Sequence, residues 1–245
     1  MEKAEDGKWK ATFNTPECAA ALQWIKDLKW KYDVLPANTL VDNAEAQKIM
    51  GTEKAAMYVA AGDFPTWIGK YGIKPERIGM MALPAGPARH VALLGGSVLG
   101  VSSATTEEQK DAAIRWFESA YNHKVTDEFK ENKERDIKTR LEQGQLVGVK
   151  GMSIWSSKSE GFKYESELID KYANANPNHV RLYNEFVANC PAEIQPEEPV
   201  CAQGLYQTLD GCIQEVLVNK DADPAALLEK ANADFQANYL DSLTF

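Results

Sequence analysis

The sequence lacks the residue patterns that mark most enzymes and metalloproteins. Its three histidines and four cysteines stand at no metal-ligand or catalytic spacing. The motifs GxSxG, HExxH and GxGxxG are absent. Acidic residues outnumber basic ones by 36 to 27, and no Lys/Arg cluster with interleaved aromatics occurs. We therefore expect no metal ion, no organic cofactor and no nucleic-acid partner.

Long apolar runs are also missing from the chain. No stretch is long enough to span a bilayer, and the start MEKAEDGKWK lacks the apolar core of a signal peptide. As written, the chain predicts a soluble globular protein that stays in the cytoplasm. The cysteines form no CxxC pair, and Cys201 and Cys212 can share one helix face, which favours buried free thiols over metal ligands.

One acidic pair, Glu197-Glu198, could suggest a glycosidase. A glycosidase needs two carboxyl groups that face each other across the scissile bond. Adjacent residues in a proline-rich segment point in different directions, so the pair does not favour an enzyme. The function predicted from the residues is therefore non-catalytic.

Helix signals recur along most of the chain. Thr15 and Pro16 predict a helix start, with an apolar stripe that runs to about Tyr32. Thr105 with Glu108 forms a capping-box pattern whose helix would bury Trp116. Further helices are predicted at 43–51, at 124–142, in two pieces over 160–189, at 203–219 and after Asp223-Pro224. Predicted strands are 55–60, 78–83 and 98–101.

Residues 44–67 form the most informative stretch and predict a helix, a strand and an aromatic loop. The strand ends at Gly62-Asp63, after which Phe64 and Trp67 flank Pro65. Aromatic rings at a sheet edge offer stacking area, and Asp63 offers hydrogen-bond acceptors, a combination that suits a polyol. The alternative is that Phe64 and Trp67 are core residues that begin a helix.

Four segments, taken in order, resemble the extracellular solute-binding proteins of ABC importers, in the group that includes maltose-binding protein. The segments are GTEKAAMYVAAGDFPTW, IGMMALPAGPARHVALLGGSVLGVSS, the region from Ala104 through DAAIRWFESAYN, and PVCAQGLYQTLDGCIQEVLVNKDADPAALLEKANADF. They cover most of residues 12–240. Residues 124–190 match least.

The resemblance implies a set of ligand-binding residues. Phe64 stands where the family places a ring against the sugar, beside Gly62, Asp63 and Trp67. The family's cleft-lining segment corresponds to Gly95, Gly96 and Ser97, and its ligand-facing aromatic at a helix start corresponds to Tyr206. Leu205 stands where maltose-binding protein carries a second aromatic, so the resemblance does not point to a maltodextrin.

The expected fold class is α/β, with helix-rich periplasmic-binding-protein-like lobes. Residues 1–92 and 151–245 are assigned to the C-terminal lobe, and 93–150 to a strand-helix segment of the N-terminal lobe. The expected function is binding of an extracellular solute, with a carbohydrate as the expected class, and its delivery to an ABC transporter permease. The alternatives are a helical protein-interaction module with the aromatics in its core and a glycoside-processing enzyme.

The resemblance also implies that the family's signal or lipoprotein segment and most of its first lobe are missing from this chain. Family members are extracellular, periplasmic or cell-surface lipoproteins in full-length form, and Met1 corresponds to a point within the second lobe. Because a receptor of this kind grips its ligand from two sides, we expect negligible solute binding by this chain alone, with a dissociation constant well above millimolar. We also expect self-association through uncovered apolar surface around residues 93–120.

Overall fold

The structure is a computed structural model that describes residues 1–95, 99–120, 124–153 and 156–243. By contacts the chain divides into two units. Unit 1 comprises residues 1–42, 93–95 and 196–245, and unit 2 comprises 43–92 and 96–195. The structure is helix-rich with small sheets, which is compatible with the predicted α/β class.

Unit 1 is built on three helices: α1 (Pro16–Trp30), α8 (Ala202–Val218) and α9 (Pro224–Phe235). Each of α1 and α9 begins as the sequence predicts, because Thr15 accepts a hydrogen bond from the N–H of Cys18, and Asp223 accepts from the N–H groups of Ala225 and Ala226. The helices enclose an apolar core. Its buried members are Leu22, Cys212, Val216, Leu217, Ala222, Leu228 and Ala231.

A second apolar cluster of unit 1 forms where the two ends of the sequence meet. The strands β1 (Glu2–Lys3) and β2 (Trp9–Lys10) pair antiparallel, with Glu2 opposite Lys10. The N–H of Ala11 donates to Gln236, in the π-helical turn Gln236–Leu240 that follows α9. The buried members of this cluster are Ala11, Leu205, Phe235 and Leu240.

Unit 2 contains α2 (Asn43–Gly51), α3 (Phe64–Trp67), 3-10 helices at Ile68–Tyr71 and Pro75–Arg77, α4 (Glu107–Ala120), α5 (Asp127–Glu142), α6 (Glu160–Lys171) and α7 (Pro177–Asn189). Strand β3 (Val91–Leu93) pairs with β4 (Glu193–Gln195). The split between α6 and α7 falls where Asn176-Pro177 predicts it, since Asn176 caps α7.

The core of unit 2 forms around residues that follow α3 and α5. Phe64, Ile68, Ile73, Ile78, Leu146, Ala175 and Val180 are buried together. The N–H of Leu146 donates to the carbonyl of Pro65 at 3.0 Å, which ties the loop after α5 to α3. A Cβ at Gly69 would collide with the carbonyl oxygen of Gly144, so this approach requires glycine. The assignment of 93–150 to a separate lobe stays a prediction.

Three predicted strands are not present as strands among the described residues. Residues 55–60 and 78–83 have no regular secondary structure, and neither do 99–101, while Val98 lies outside the described residues. The apolar side chains of the first segment face solvent, with Met57 88 % and Val59 76 % exposed. A strand needs a ladder of hydrogen bonds to a neighbouring strand, and none of the strands in the described ranges pairs with these segments. In 78–83 the N–H of Met80 makes a single bond to the carbonyl of His179, which does not form a ladder.

Two further expectations need correction. The capping box of α4 lies one residue later than predicted, because Thr106 and Gln109 exchange reciprocal hydrogen bonds. Trp116, which the sequence predicts to be buried on α4, is 56 % exposed. Both errors concern a helix whose existence the sequence predicts correctly.

Candidate functional site

The chain around Asp63 forms a compact helical turn instead of the predicted loop. The N–H of Phe64 donates to the carbonyl of Ala61, and the hydroxyl of Thr66 donates to the carbonyl of Asp63 at 2.6 Å. Pro65 lies in the first turn of α3, where its missing N–H costs nothing. Gly72, with a φ of 88°, ends the 3-10 helix that follows. These contacts fix the orientation of the rings that follow Asp63.

Four aromatic side chains meet here and form what we call the Trp67 cluster: Tyr58, Phe64, Trp67 and Tyr71. The ring of Trp67 is in edge contact with each of the others. The centroid distances are 4.9 Å to Phe64, 5.9 Å to Tyr58 and 6.3 Å to Tyr71. Edge-to-face contacts of this kind stabilise a cluster by about 0.5–1.5 kcal/mol per pair beyond the buried area. Trp67 is therefore held by neighbours on several sides.

The members of the Trp67 cluster differ in their access to solvent. Phe64 is 5 % exposed and belongs to the core of unit 2, whereas Trp67 is only half-buried. Tyr58 and Tyr71 are also half-buried. The alternative role considered for Phe64, a core residue that begins a helix, describes its position here. Of the two predicted rings in this cluster, Trp67 is the one that keeps exposed surface.

Polar groups lie next to these rings. Asp63 is exposed, and its carboxylate caps no helix N–H. Burial raises the pKa of Tyr58, and the nearby negative charge of Asp63 raises it further. The hydroxyl of Tyr58 donates to Oδ1 of Asn43 at 2.7 Å. The cation of Lys70 lies 4.8 Å from the centre of the Tyr71 ring. The site thus combines ring surface with an available carboxylate.

Gly62 and Gly95 occupy exposed positions of the backbone. A Cβ on Gly62 would lie 3.8 Å from the hydroxyl of Tyr183, so this tyrosine borders the Asp63 turn. Gly95 belongs to unit 1 and has open space around it. The predicted residues Gly96 and Ser97 lie outside the described residues. Within unit 2 the structure therefore brings together Gly62, Asp63, Phe64 and Trp67.

Tyr206 lies in unit 1, in the first turns of α8. It is 40 % exposed, on the side of the helix away from the buried residues Leu205 and Cys212, as the sequence predicts. Partial burial raises the pKa of Tyr206, and the neighbouring carboxylates of Glu197 and Glu198 raise it further. Like Trp67 in unit 2, Tyr206 presents an aromatic ring beside a carboxylate.

Sequence reasoning missed Tyr58, Tyr71 and Asn43 as members of the site. Tyr58 lies inside the predicted strand 55–60, and Asn43 stands at the start of the predicted helix 43–51. A signal was present for Tyr71, which stands four residues after Trp67 and so lies on the same side of a helical turn. Nothing in the local pattern links Asn43 to Tyr58, which is 15 residues away.

Two open grooves elsewhere have other linings. The groove in unit 1 has a volume of about 430 Å³, and its lining includes Thr208, Cys212, Lys230 and Asp234. The groove in unit 2 has a volume of about 440 Å³, and its lining includes Lys150, Asn178 and Arg181. Neither is lined by a predicted site residue. Across the part of the chain that the structure describes, no group of three or more His, Cys, Asp or Glu side chains could hold a metal ion.

No protein-family model matches this chain. In the described ranges, no helix has both the length and the apolar character needed to cross a bilayer.

Proposed function

We propose that this chain captures an extracellular solute, a carbohydrate, and delivers it to the permease of an ABC importer within a periplasmic-binding-protein-like fold. The observation that carries the proposal is the half-buried ring of Trp67 beside the exposed carboxylate of Asp63. The ordered resemblance of four segments to solute-binding proteins supports it from the sequence.

The chemistry of this pair suits a sugar. A pyranose ring has apolar C–H faces that stack on an indole, and its hydroxyl groups donate to a carboxylate. Trp67 would supply the stacking surface, because Phe64 is buried behind it in the core. Asp63 would orient the ligand, since a hydrogen bond to a charged acceptor contributes more than one to a neutral acceptor. Binding is non-catalytic in this proposal.

The first prediction concerns binding through Trp67. The indole N–H signal of Trp67, assigned by the Trp67→Phe variant, should shift in a two-dimensional NMR titration with neutral mono- and oligosaccharides at millimolar concentrations. NMR is chosen because we expect weak affinity. Trp67→Ala should abolish binding, and Asp63→Asn should weaken it by about tenfold, as expected for a lost hydrogen bond to a charged group. Trp24→Ala, at an exposed tryptophan of α1, is the matched control and should change nothing.

Asp63→Asn keeps the experiment decisive if Trp67→Ala fails to fold, because Asp63 is exposed and its replacement leaves the core intact. Saturable shifts that are unchanged in Asp63→Asn would remove this carboxylate from the site. The absence of any shift with every sugar would reject the proposal.

One observation favours the helical interaction module as the second candidate. Phe64 packs in the core, and α4 instead leaves Trp116 exposed, with its ring 5.5 Å from that of Phe117 on the same helix. Exposed apolar side chains on one helix are typical of a surface that binds another protein. Two variants distinguish the candidates. If the chain binds sugars, Trp67→Ala abolishes sugar binding; if it is an interaction module, substitutions on α4 weaken binding to the protein partner.

A further inference from the structure

The segment that crosses from α2 to α3, residues 54–61, has an unusual attachment to the rest of unit 2. Residues 55–60 form no regular secondary structure, and the backbone hydrogen bonds nearest to them are at its ends, from Lys54 N–H to Ile49 and from Phe64 N–H to Ala61. The side chains of Met57 and Val59 point into solvent. Backbone pairing therefore does not explain what holds the middle of this segment in place.

Tyr58 supplies that attachment. It is half-buried between two strongly exposed neighbours, and its ring meets Trp67 edge-on, at an interplanar angle of 89°. Its hydroxyl reaches across 15 positions of sequence to Asn43, the first residue of α2. One side chain thus joins the segment to a rigid helix and to the ring assigned to the ligand.

We propose that residues 54–61 form a strap over Trp67, with Tyr58 as its latch, and that release of the latch opens the ring to a stacking ligand. The ligand role of the strap rests on the proposed function, whereas the latch itself does not. The physical basis is that a segment whose middle is held by one side-chain hydrogen bond and one ring contact opens there at a small free-energy cost. A ligand that binds only the open state has an apparent affinity reduced by the fraction of molecules that are closed.

The latch can be tested without any ligand. Chymotrypsin cleaves after both Tyr and Phe, so Tyr58→Phe removes the hydroxyl and keeps the cleavage site. We expect cleavage at position 58 to accelerate by roughly threefold to tenfold, the change expected for one exposed hydrogen bond. Asn43→Ala should give the same increase, and the double variant should give no more, because both changes break one bond.

Two controls isolate the latch from general destabilisation. Asn43→Asp retains an acceptor oxygen and should keep cleavage at the wild-type rate, and Tyr32→Phe, at an exposed tyrosine in unit 1, should leave cleavage at position 58 unchanged. A soluble paramagnetic probe should broaden the Trp67 indole signal more strongly in Tyr58→Phe. Equal cleavage and equal broadening in wild type and Tyr58→Phe would overturn the proposal.

The ligand role is decided separately. With a sugar that shifts the Trp67 signal, Tyr58→Phe should reach half-saturation at a severalfold lower sugar concentration than the wild type. If cleavage accelerates while the affinities stay equal, the strap exists and does not gate the ring. If no sugar binds to any variant, the proposed function fails, and the cleavage and broadening experiments still decide the latch.

Discussion

Two cysteines hold backbone conformations that normally favour glycine. Cys190 ends α7 with a φ of 42°, where its N–H donates to the carbonyl of Phe186, and Cys201 precedes α8 with a φ of 50°. A left-handed backbone conformation costs a residue with a Cβ about 1–2 kcal/mol. Glycine avoids part of this cost because it has no Cβ. Both residues are free thiols. Their backbone conformations therefore make them candidates for stabilising substitutions.

The prediction at Cys190 follows from this strain. Cys190→Gly should raise the free energy of unfolding by about 0.5–1 kcal/mol, the left-handed penalty less the extra entropy that glycine loses on folding. Urea unfolding followed by circular dichroism measures the change. Cys190→Ala removes the same sulfur and keeps Cβ, so it should give no gain. Equal stabilisation by both variants would show that the sulfur, and not the backbone, was the cause.

At the residue scale, the local pattern selected Asp63, Phe64 and Trp67 as candidate site residues without distinguishing the two rings, and the family resemblance placed Phe64 against the ligand. Spacing places Phe64 and Trp67 three positions apart, which brings them close together on a helical turn. Which ring enters the core depends on Leu146 and Ile78, which arrive from distant parts of the chain. That selection is a property of tertiary packing and has no local signal.

At the scale of elements, helices were predicted well because their signals are local. Thr15, Asn176 and Asp223 each cap the helix that the sequence places after them. Strands were predicted poorly, since a short continuous apolar run such as 55–60 favours an extended chain but does not specify a partner. In place of a neighbouring strand, the structure attaches this run through the side chain of Tyr58.

The pair α5 and α6 is joined by a carboxylate whose ionisation should be visible in stability. Glu134 of α5 accepts hydrogen bonds from the hydroxyl of Tyr172 and, at 3.1 Å, from the ammonium of Lys171. The Tyr172 hydroxyl, followed by Lys171, lowers the pKa of Glu134 to about 2 from an ordinary value of 4.5. A second ion pair, between Lys133 and Glu165 at 2.6 Å, links the same helices.

The direction of the pH dependence follows from the lowered pKa. The ionised form of Glu134 is favoured in the folded state, so its stabilising effect is complete above about pH 4.5 and is lost as the pH falls toward 2. The thermal midpoint of the wild type should therefore fall more steeply over this range than that of Glu134→Gln. Glu131→Gln, on the exposed surface of α5, is the control and should keep the wild-type slope.

At the scale of the whole molecule, distant segments of the sequence build each core. In unit 1 the N–H of Phe13 donates to Asn232, and the indole N–H of Trp30 donates to the carbonyl of Val216. The amphipathic stripes of α1, α8 and α9 predict that each helix buries one face, but they do not say which faces meet. Periodicity therefore indicates that each helix buries a face without identifying its partner; in α1 Leu22 is the fully buried residue, and Tyr32, at the predicted end of the stripe, is exposed.

Phe235 offers the sharpest test of this packing. Its ring is 6.0 Å from that of Phe13 in an edge contact and 5.2 Å from that of Tyr239 in a stacked one, and it belongs to the cluster that joins the two ends of the sequence. Phe235→Ala should lower the free energy of unfolding by about 3–5 kcal/mol, because it removes buried apolar surface and leaves a cavity. Urea unfolding measures the total loss.

The local effect of Phe235→Ala should appear as faster amide hydrogen exchange in α8 and α9 and in β2, since the lost ring contacts all lie in unit 1. Phe235→Leu keeps most of the volume and should cost less than about 1.5 kcal/mol. If the alanine variant also lost less than that, Phe235 would not anchor the junction between the two ends of the sequence. A large loss in the alanine variant alone would show that filled apolar volume, and not the aromatic ring as such, holds the terminal segments to α8, because a leucine that fills the space preserves the burial of Ala11 and Leu205.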